Sequence, residues 1–137
     1  MAQKILIVDD DAETRRILGC VLAPVGAVLE ACGGEEALRL IGSERPQLLL
    51  LDVVMPAMGG LEVLQSALAL IPTLAVVMLS GQADIAVAKS SLDRGARAYI
   101  TKPVDPQELR EVIGDLLGVK GDSADAGDRN KPWRVVG

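Results

Sequence analysis

Histidine and phenylalanine are absent from this chain of 137 residues, and tyrosine and tryptophan occur once each. Without histidine there is no imidazole base and no imidazole metal ligand. Only two cysteines are present, Cys20 and Cys32, too few for a disulfide framework or a thiolate metal cluster. They read as small buried hydrophobes in a reducing compartment. Any metal is therefore a hard cation held by oxygen atoms. No apolar run approaches the ~18–20 residues that span a bilayer. Lys4 leads directly into a strand-like run, with no leader pattern before it. The expectation is a soluble, cytoplasmic protein without a membrane partner. The net charge of −5 excludes the basic face that direct nucleic-acid binding requires.

Half of the residues are apolar, so the core must be built from Leu, Val, Ile and Ala. Short apolar runs at Lys4–Val8, Ala27–Ala31, Gln47–Leu51, Leu74–Leu79 and Ala98–Thr101 alternate with helical patterns. Asp11 predicts an N-cap for the first helix, whose apolar positions are Ile17, Leu18, Val21 and Leu22. Ala37, Leu38 and Ile41 mark the second helix, and Leu61, Leu64, Ala67, Leu68 and Ile71 the third. Ala83–Arg94 predicts a fourth, and Leu109, Val112, Ile113, Leu116 and Leu117 mark a fifth. Five β-α alternations imply a parallel sheet covered on both faces. The expected architecture is a doubly wound five-stranded sheet of order 2-1-3-4-5, with its switch point between strands 1 and 3. Residues 1–118 form this domain. Residues 119–137, rich in Gly, Asp, Ala and Ser, read as a flexible tail or linker, with Trp133, Val135 and Val136 its one adhesive element.

Four polar stations stand at the ends of these runs: Asp9-Asp10, Asp52, Ser80 and Lys102-Pro103. In a parallel sheet all four fall on one edge. Three carboxylates, a hydroxyl and an ammonium converging there suit a divalent cation and a phosphoryl group. Asp10 and Asp52 can share Mg²⁺, which retains several waters beside a few protein oxygens. Lys102, Ser80 and the metal can each face one equatorial phosphoryl oxygen. Asp52, flanked by partners on both sides, is the natural nucleophile toward phosphorus.

Taken together, Ile5–Asp11, Leu50–Gly60, Val77–Gly81 and Tyr99–Pro103 resemble the signature of receiver domains, the phosphoacceptor modules of two-component response regulators. The likeness spans about residues 3–118. It implies the flavodoxin-like (βα)5 fold, a phosphoryl group accepted on Asp52, and Asp10 as a direct Mg²⁺ ligand with Asp9 acting through water. It further implies Val54 as a backbone-carbonyl ligand, Lys102 as the phosphate contact, Ser80 and Tyr99 as the switch pair, and a cis bond between Lys102 and Pro103. In that picture Tyr99 turns inward near Ala83 once Asp52 is phosphorylated. The implied donor is a histidine kinase or a histidine phosphotransfer protein, and the output protein is unknown. Such a module is not an enzyme beyond its own phosphorylation and dephosphorylation. It works as a monomer or as a phosphorylation-linked dimer. A receiver piece of a larger kinase or regulator, or a phosphorylation-independent adaptor, are the competing readings.

Haloacid-dehalogenase phosphatases also combine Asp, Ser or Thr, Lys and Mg²⁺, but place their nucleophile on the first strand with a second Asp two residues on. Here the acidic pair comes first, and Val54 stands two after Asp52. Val54 is also apolar where some receivers carry a group that orients an attacking water, so slow self-dephosphorylation is expected. Ala98 replaces an acidic residue common in receivers that dimerise through helix 4, strand 5 and helix 5, which disfavours that dimer.

Overall fold

A computed structural model of the chain describes residues 3–55, 58–81, 85–118 and 134–136, with Ile85 and 134–136 described by backbone alone. The elements run β1 Lys4–Val8, α1 Ala12–Leu22, β2 Ala27–Ala31, α2 Gly34–Glu44, β3 Leu48–Asp52, α3 Gly60–Leu70, β4 Ala75–Ser80, α4 Ile85–Asp93, β5 Ala98–Thr101, α5 Pro106–Leu117 and β6 Arg134–Val136. The five expected strands stand in the expected parallel order β2-β1-β3-β4-β5. A sixth strand not foreseen from the sequence, β6, pairs parallel with the outer edge of β5. The rest of the predicted tail lies outside the described residues.

The period-2 alternation of strands sorts the core into two layers. Ile5, Ile7, Leu48, Leu50, Val77 and Leu79 face Leu18 and Leu22 of α1 and Leu109, Val112 and Ile113 of α5. Leu6, Val8, Leu49, Leu51, Val76 and Met78 face Ala37 and Ile41 of α2, Val63, Leu64 and Ala67 of α3, and Ala88 of α4. β3 and β4 are buried along their whole length, as continuous apolar runs in central parallel strands should be. Both layers end where the strands end, and the polar residues follow immediately.

Local chemistry fixes the helix boundaries. Asp11 caps α1 by accepting from the Thr14 amide at 3.3 Å, as its position predicts. Asp105 does the same for α5 from Gln107 at 3.1 Å; Pro106 opens the helix and Gly118 closes it with φ 75°. The cysteines depart from expectation: Cys20 and Cys32 are free and exposed. Cys20 lies on the wet side of α1, away from buried Leu18 and Leu22, and Cys32 follows the last residue of β2, beyond the core.

One glycine governs the approach of α3 to β3. A Cβ on Gly60 would lie 2.5 Å from the Asp52 carbonyl oxygen and 2.7 Å from Val53 Cα. Both neighbours are backbone and cannot rotate aside. The Gly60 amide donates to the Val53 carbonyl at 2.9 Å, which tethers the β3–α3 loop. Gly42 lies in α2, and a Cβ there would meet nothing within 4 Å. Urea denaturation of Gly60→Ala should show a loss of about 1–3 kcal/mol, as forced overpacking does. Gly42→Ala should instead gain roughly 0.5–1 kcal/mol from helix propensity. Equal effects of the two substitutions would remove the steric role of Gly60.

Candidate functional site

The carboxyl ends of β1, β3, β4 and β5 deliver the site. β1 ends immediately before Asp9, Asp52 is the last residue of β3, Ser80 is the last of β4, and Lys102 follows β5. Carboxylate oxygens of Asp9, Asp10 and Asp52 lie within 4.8 Å of one another. Asp9 and Asp52 are buried, at 2% and 6% exposure, whereas Asp10 is exposed. Lys102 reaches in from the other side, its Nζ 3.5 Å from Asp9 Oδ2 and 3.7 Å from Asp52 Oδ2. The Lys102–Pro103 peptide is cis, as expected. All four stations are thus on one edge, and the three carboxylates and the ammonium share one small volume.

Each buried carboxylate has a second tether. Asp9 Oδ1 accepts from the Asp11 amide at 2.9 Å, and Asp52 Oδ1 accepts from the Val54 amide at 3.3 Å. The oxygens facing Lys102 are the opposite ones, so each carboxylate is oriented by backbone on one side and by a cation on the other. Arg15 was missed in the sequence. Its Nη1 donates to the Asp9 carbonyl at 2.7 Å while its Nε pairs with Glu30 at 3.1 Å, bracing the β1 end against β2. Its signal was faint: one of two adjacent arginines, Arg15 and Arg16, one turn into a capped helix, indistinguishable from an ordinary solvated residue.

Ser80 is buried beside this cluster, one register step beyond the Asp52–Leu79 pair. Tyr99 is not at the cluster. It is 1% exposed and packs in the layer shared with Met78, Ala88 and Ala96. The resemblance has Tyr99 turning inward on phosphorylation; in this structure the ring lies inside, where alternation along β5 packs it beside Ala88 of α4 and Ala96. Ala83, expected beside it, lies outside the described residues. The Val54 side chain is 63% exposed and offers no polar group.

Burial pushes the Asp52 carboxyl above its ordinary range, more strongly than Lys102 lowers it; the charges of Asp9 and Asp10 add to the rise and the Val54 amide opposes it. The charges of the cluster do not balance: three carboxylates against one ammonium leave −2. That deficit equals the charge of a divalent cation, and the oxygen-only donor set fits a hard one.

With this geometry in hand, comparison with known proteins decides the family. The model of the response regulator receiver domain matches residues 5–114. The chain belongs to that family. The sporulation initiation phosphotransferase F of Bacillus subtilis (strain 168) is 32% identical over 121 residues, covering 88% of this chain and 98% of its own. The probable transcriptional regulator ycf27 of Cyanophora paradoxa is 40% identical over 116 residues, covering 84% of this chain and 48% of its own. This receiver thus spans about half the length of the curated transcriptional regulators it matches. Among solved structures, the CheY-like receiver domain protein of Methanospirillum hungatei JF-1 superposes with a TM-score of 0.82 at 36% identity, covering 86% of this chain and 95% of its own. The BeF3-activated DrrB receiver domain gives 0.81 at 28% identity, with coverage of 86% and 99%. The chain is a receiver domain of a two-component system, and among its described residues no helix is long and apolar enough to cross a membrane.

The raised carboxyl carries a sign. A buried acid whose folded-state pKa lies above its unfolded value holds its full stability below the unfolded pKa and loses it as pH rises through the folded one. Asp52→Asn removes that loss. In buffer free of divalent cations, thermal melts should therefore show Asp52→Asn more stable than the wild type at pH 7. The difference should close as the pH falls below about 4. A wild type more stable than the variant at pH 7 would show that Lys102 outweighs burial.

Proposed function

We propose that this receiver accepts a phosphoryl group on Asp52 from a phosphohistidine of a histidine kinase or histidine phosphotransfer protein, with Mg²⁺ bound, and passes the change to an output partner. One observation carries the reading: the oxygens of Asp9, Asp10 and Asp52 gather within 4.8 Å beneath the Lys102 ammonium. Asp10, Asp52 and the Val54 carbonyl would hold the cation directly, and Asp9 through water. When bound, Mg²⁺ supplies the positive charge that phosphoryl oxygens need on leaving one donor for another.

The chain's own residues do the rest. A carboxylate oxygen of Asp52 forms the new bond to phosphorus as the phosphorus–nitrogen bond of the donor breaks. The electron pair returns to an imidazole whose other nitrogen already carries a proton. Backbone tethers hold Asp52 in line, so little reorganisation is left for the reaction itself. Lys102 faces the incoming oxygens, and the Ser80 hydroxyl follows the group once it is in place. Gly81 is exposed beside Ser80 and leaves room for the incoming group. The product is an acyl phosphate on the protein, so the chain acts on itself and not as an enzyme for other substrates.

A relative 32% identical over 121 residues is named a phosphotransferase, which supports a phosphorelay role, and we place the module in the cytoplasm. The half-length match to transcriptional regulators supports a second reading, in which the same receiver is the input segment of a longer regulator. The chemistry at Asp52 is common to both. A phosphoryl group need only bias an existing equilibrium of the switch region.

Incubation with Mg²⁺ and a small acyl phosphate, read by intact mass, should add one phosphoryl to the wild type and none to Asp52→Asn. Chelation of Mg²⁺ should abolish the addition. Addition to both proteins, or to neither, would sink the assignment.

The exposed, apolar Val54 side chain cannot itself orient water toward the acyl phosphate. Phospho-Asp52 should therefore persist for minutes or longer in Mg²⁺ buffer, and Val54→Asn should shorten that life severalfold. A wild-type half-life of seconds would count against this role.

A further inference from the structure

Among the described residues, no hydrogen bond or ion pair holds the side chain of Asp10, the exposed carboxylate of the cluster. Asp9 and Asp52 each have a backbone amide on one oxygen and Lys102 near the other. Asp10 can be aimed only through its backbone, and the peptides on both sides of it are tethered. The Asp9–Asp10 peptide presents its carbonyl to Arg15, whose Nη1 donates at 2.7 Å. The Asp10–Asp11 peptide presents its N–H to Asp9 Oδ1 at 2.9 Å. Each peptide is a rigid plane, so fixing both planes gives the Asp10 Cα–Cβ bond one direction. Arg15 can act as a strut because it is itself held. Its Nε donates to Glu30 Oε1 at 3.1 Å, and its side chain is only 16% exposed. One planar guanidinium carries both bonds, which a lysine ammonium cannot do in the same fork.

We propose that Arg15 is a positioning residue of the cation site. It fixes the direction of Asp10, and so favours a small cation of strict geometry over a larger, more tolerant one. The inference rests on the Mg²⁺ reading above and deepens it. Mg²⁺ takes its ligands at about 2.0–2.1 Å in a near-ideal octahedron, whereas Ca²⁺ accepts looser sets at about 2.3–2.6 Å. A carboxylate left to swing therefore costs Mg²⁺ more than Ca²⁺. Charge alone predicts the opposite sign: Arg15 is a cation beside a cation site, and its removal would tighten binding of either ion.

Titration of the full chain with MgCl2, and separately with CaCl2, followed by amide NMR shifts, tests this. Arg15→Gln should weaken Mg²⁺ binding about tenfold, the scale of losing a residue that orients a metal ligand, and weaken Ca²⁺ binding less. Arg15→Lys, which keeps the charge and one donor, should recover part of the loss. Arg16→Gln removes the same charge from the exposed neighbour and should not weaken either ion. In metal-free buffer, hydrogen exchange at the Asp11 amide should accelerate in Arg15→Gln and not in Arg16→Gln, while Leu50 in β3 keeps its wild-type rate and reports an intact fold. Unchanged or tighter Mg²⁺ binding in Arg15→Gln, an equal loss for both ions, or an equal loss in Arg16→Gln would overturn the proposal. A wild type that shows no saturable Mg²⁺ shift would instead strike the metal reading itself, and this inference with it.

Discussion

Three carboxylates held at the mouth of an apolar sheet against one lysine set the terms for everything around them. Each contact between unit charges near 4 Å amounts to about 4 kcal/mol at the effective dielectric of a protein surface. Lys102 offers two attractive contacts, to Asp9 and Asp52. The carboxylates offer three repulsive pairings within 4.8 Å. The balance is a standing excess of negative charge, which burial makes harder to bear at Asp52 than at exposed Asp10. A group bearing two positive charges relieves it. The site is therefore poised for a cation before any phosphoryl chemistry begins.

Such a cluster persists only if the backbone beneath it is rigid, because free carboxylates would swing apart into water. The central strands supply that rigidity. β3 and β4 are wholly buried, and β3 continues past Asp52 through the Val53 amide to the Leu79 carbonyl at 2.9 Å. Gly60 then lets α3 begin against the Asp52 and Val53 backbone where any larger residue would collide. On the β1 side, Arg15 holds the Asp9 carbonyl from α1 and is itself held by Glu30 of β2. The pair is partly exposed, so its contribution lies in direction more than in energy. Packing places the strand ends, and these short polar tethers aim the side chains.

What could be read from the sequence follows the range of the interactions involved. The strand order and the stations were legible because apolar runs, turn residues and terminal Asp or Lys are local signals that repeat along the chain. Asp11 as a cap was legible for the same reason. The direction of Tyr99 was not. β5 carries it beside Ala88 and Ala96, and only the packing of several elements makes that space. Cys20 and Cys32 were misplaced because cysteine's average preference for burial says nothing about which side of a helix or which end of a strand it occupies. Arg15 was lost among charged residues of ordinary appearance. β6 was hidden by a composition that favours solvent in the segment leading up to its three strand-forming residues.

The inward Tyr99 belongs to the packed layer of the core and not to the charged cluster. Its ring is 1% exposed and packs beside Ala88 and Ala96. A phosphoryl group can shift only an equilibrium for which it has differential affinity. What distinguishes states at this edge is charge. The unmodified cluster carries −2, and an acyl phosphate replaces the single charge on Asp52 with a dianion. Lys102 faces Asp52 at 3.7 Å, and β5 connects Lys102 to Tyr99 through Ile100 and Thr101. Any signal reaching the outer face of the sheet from Asp52 along this route passes through the strand that β6 covers.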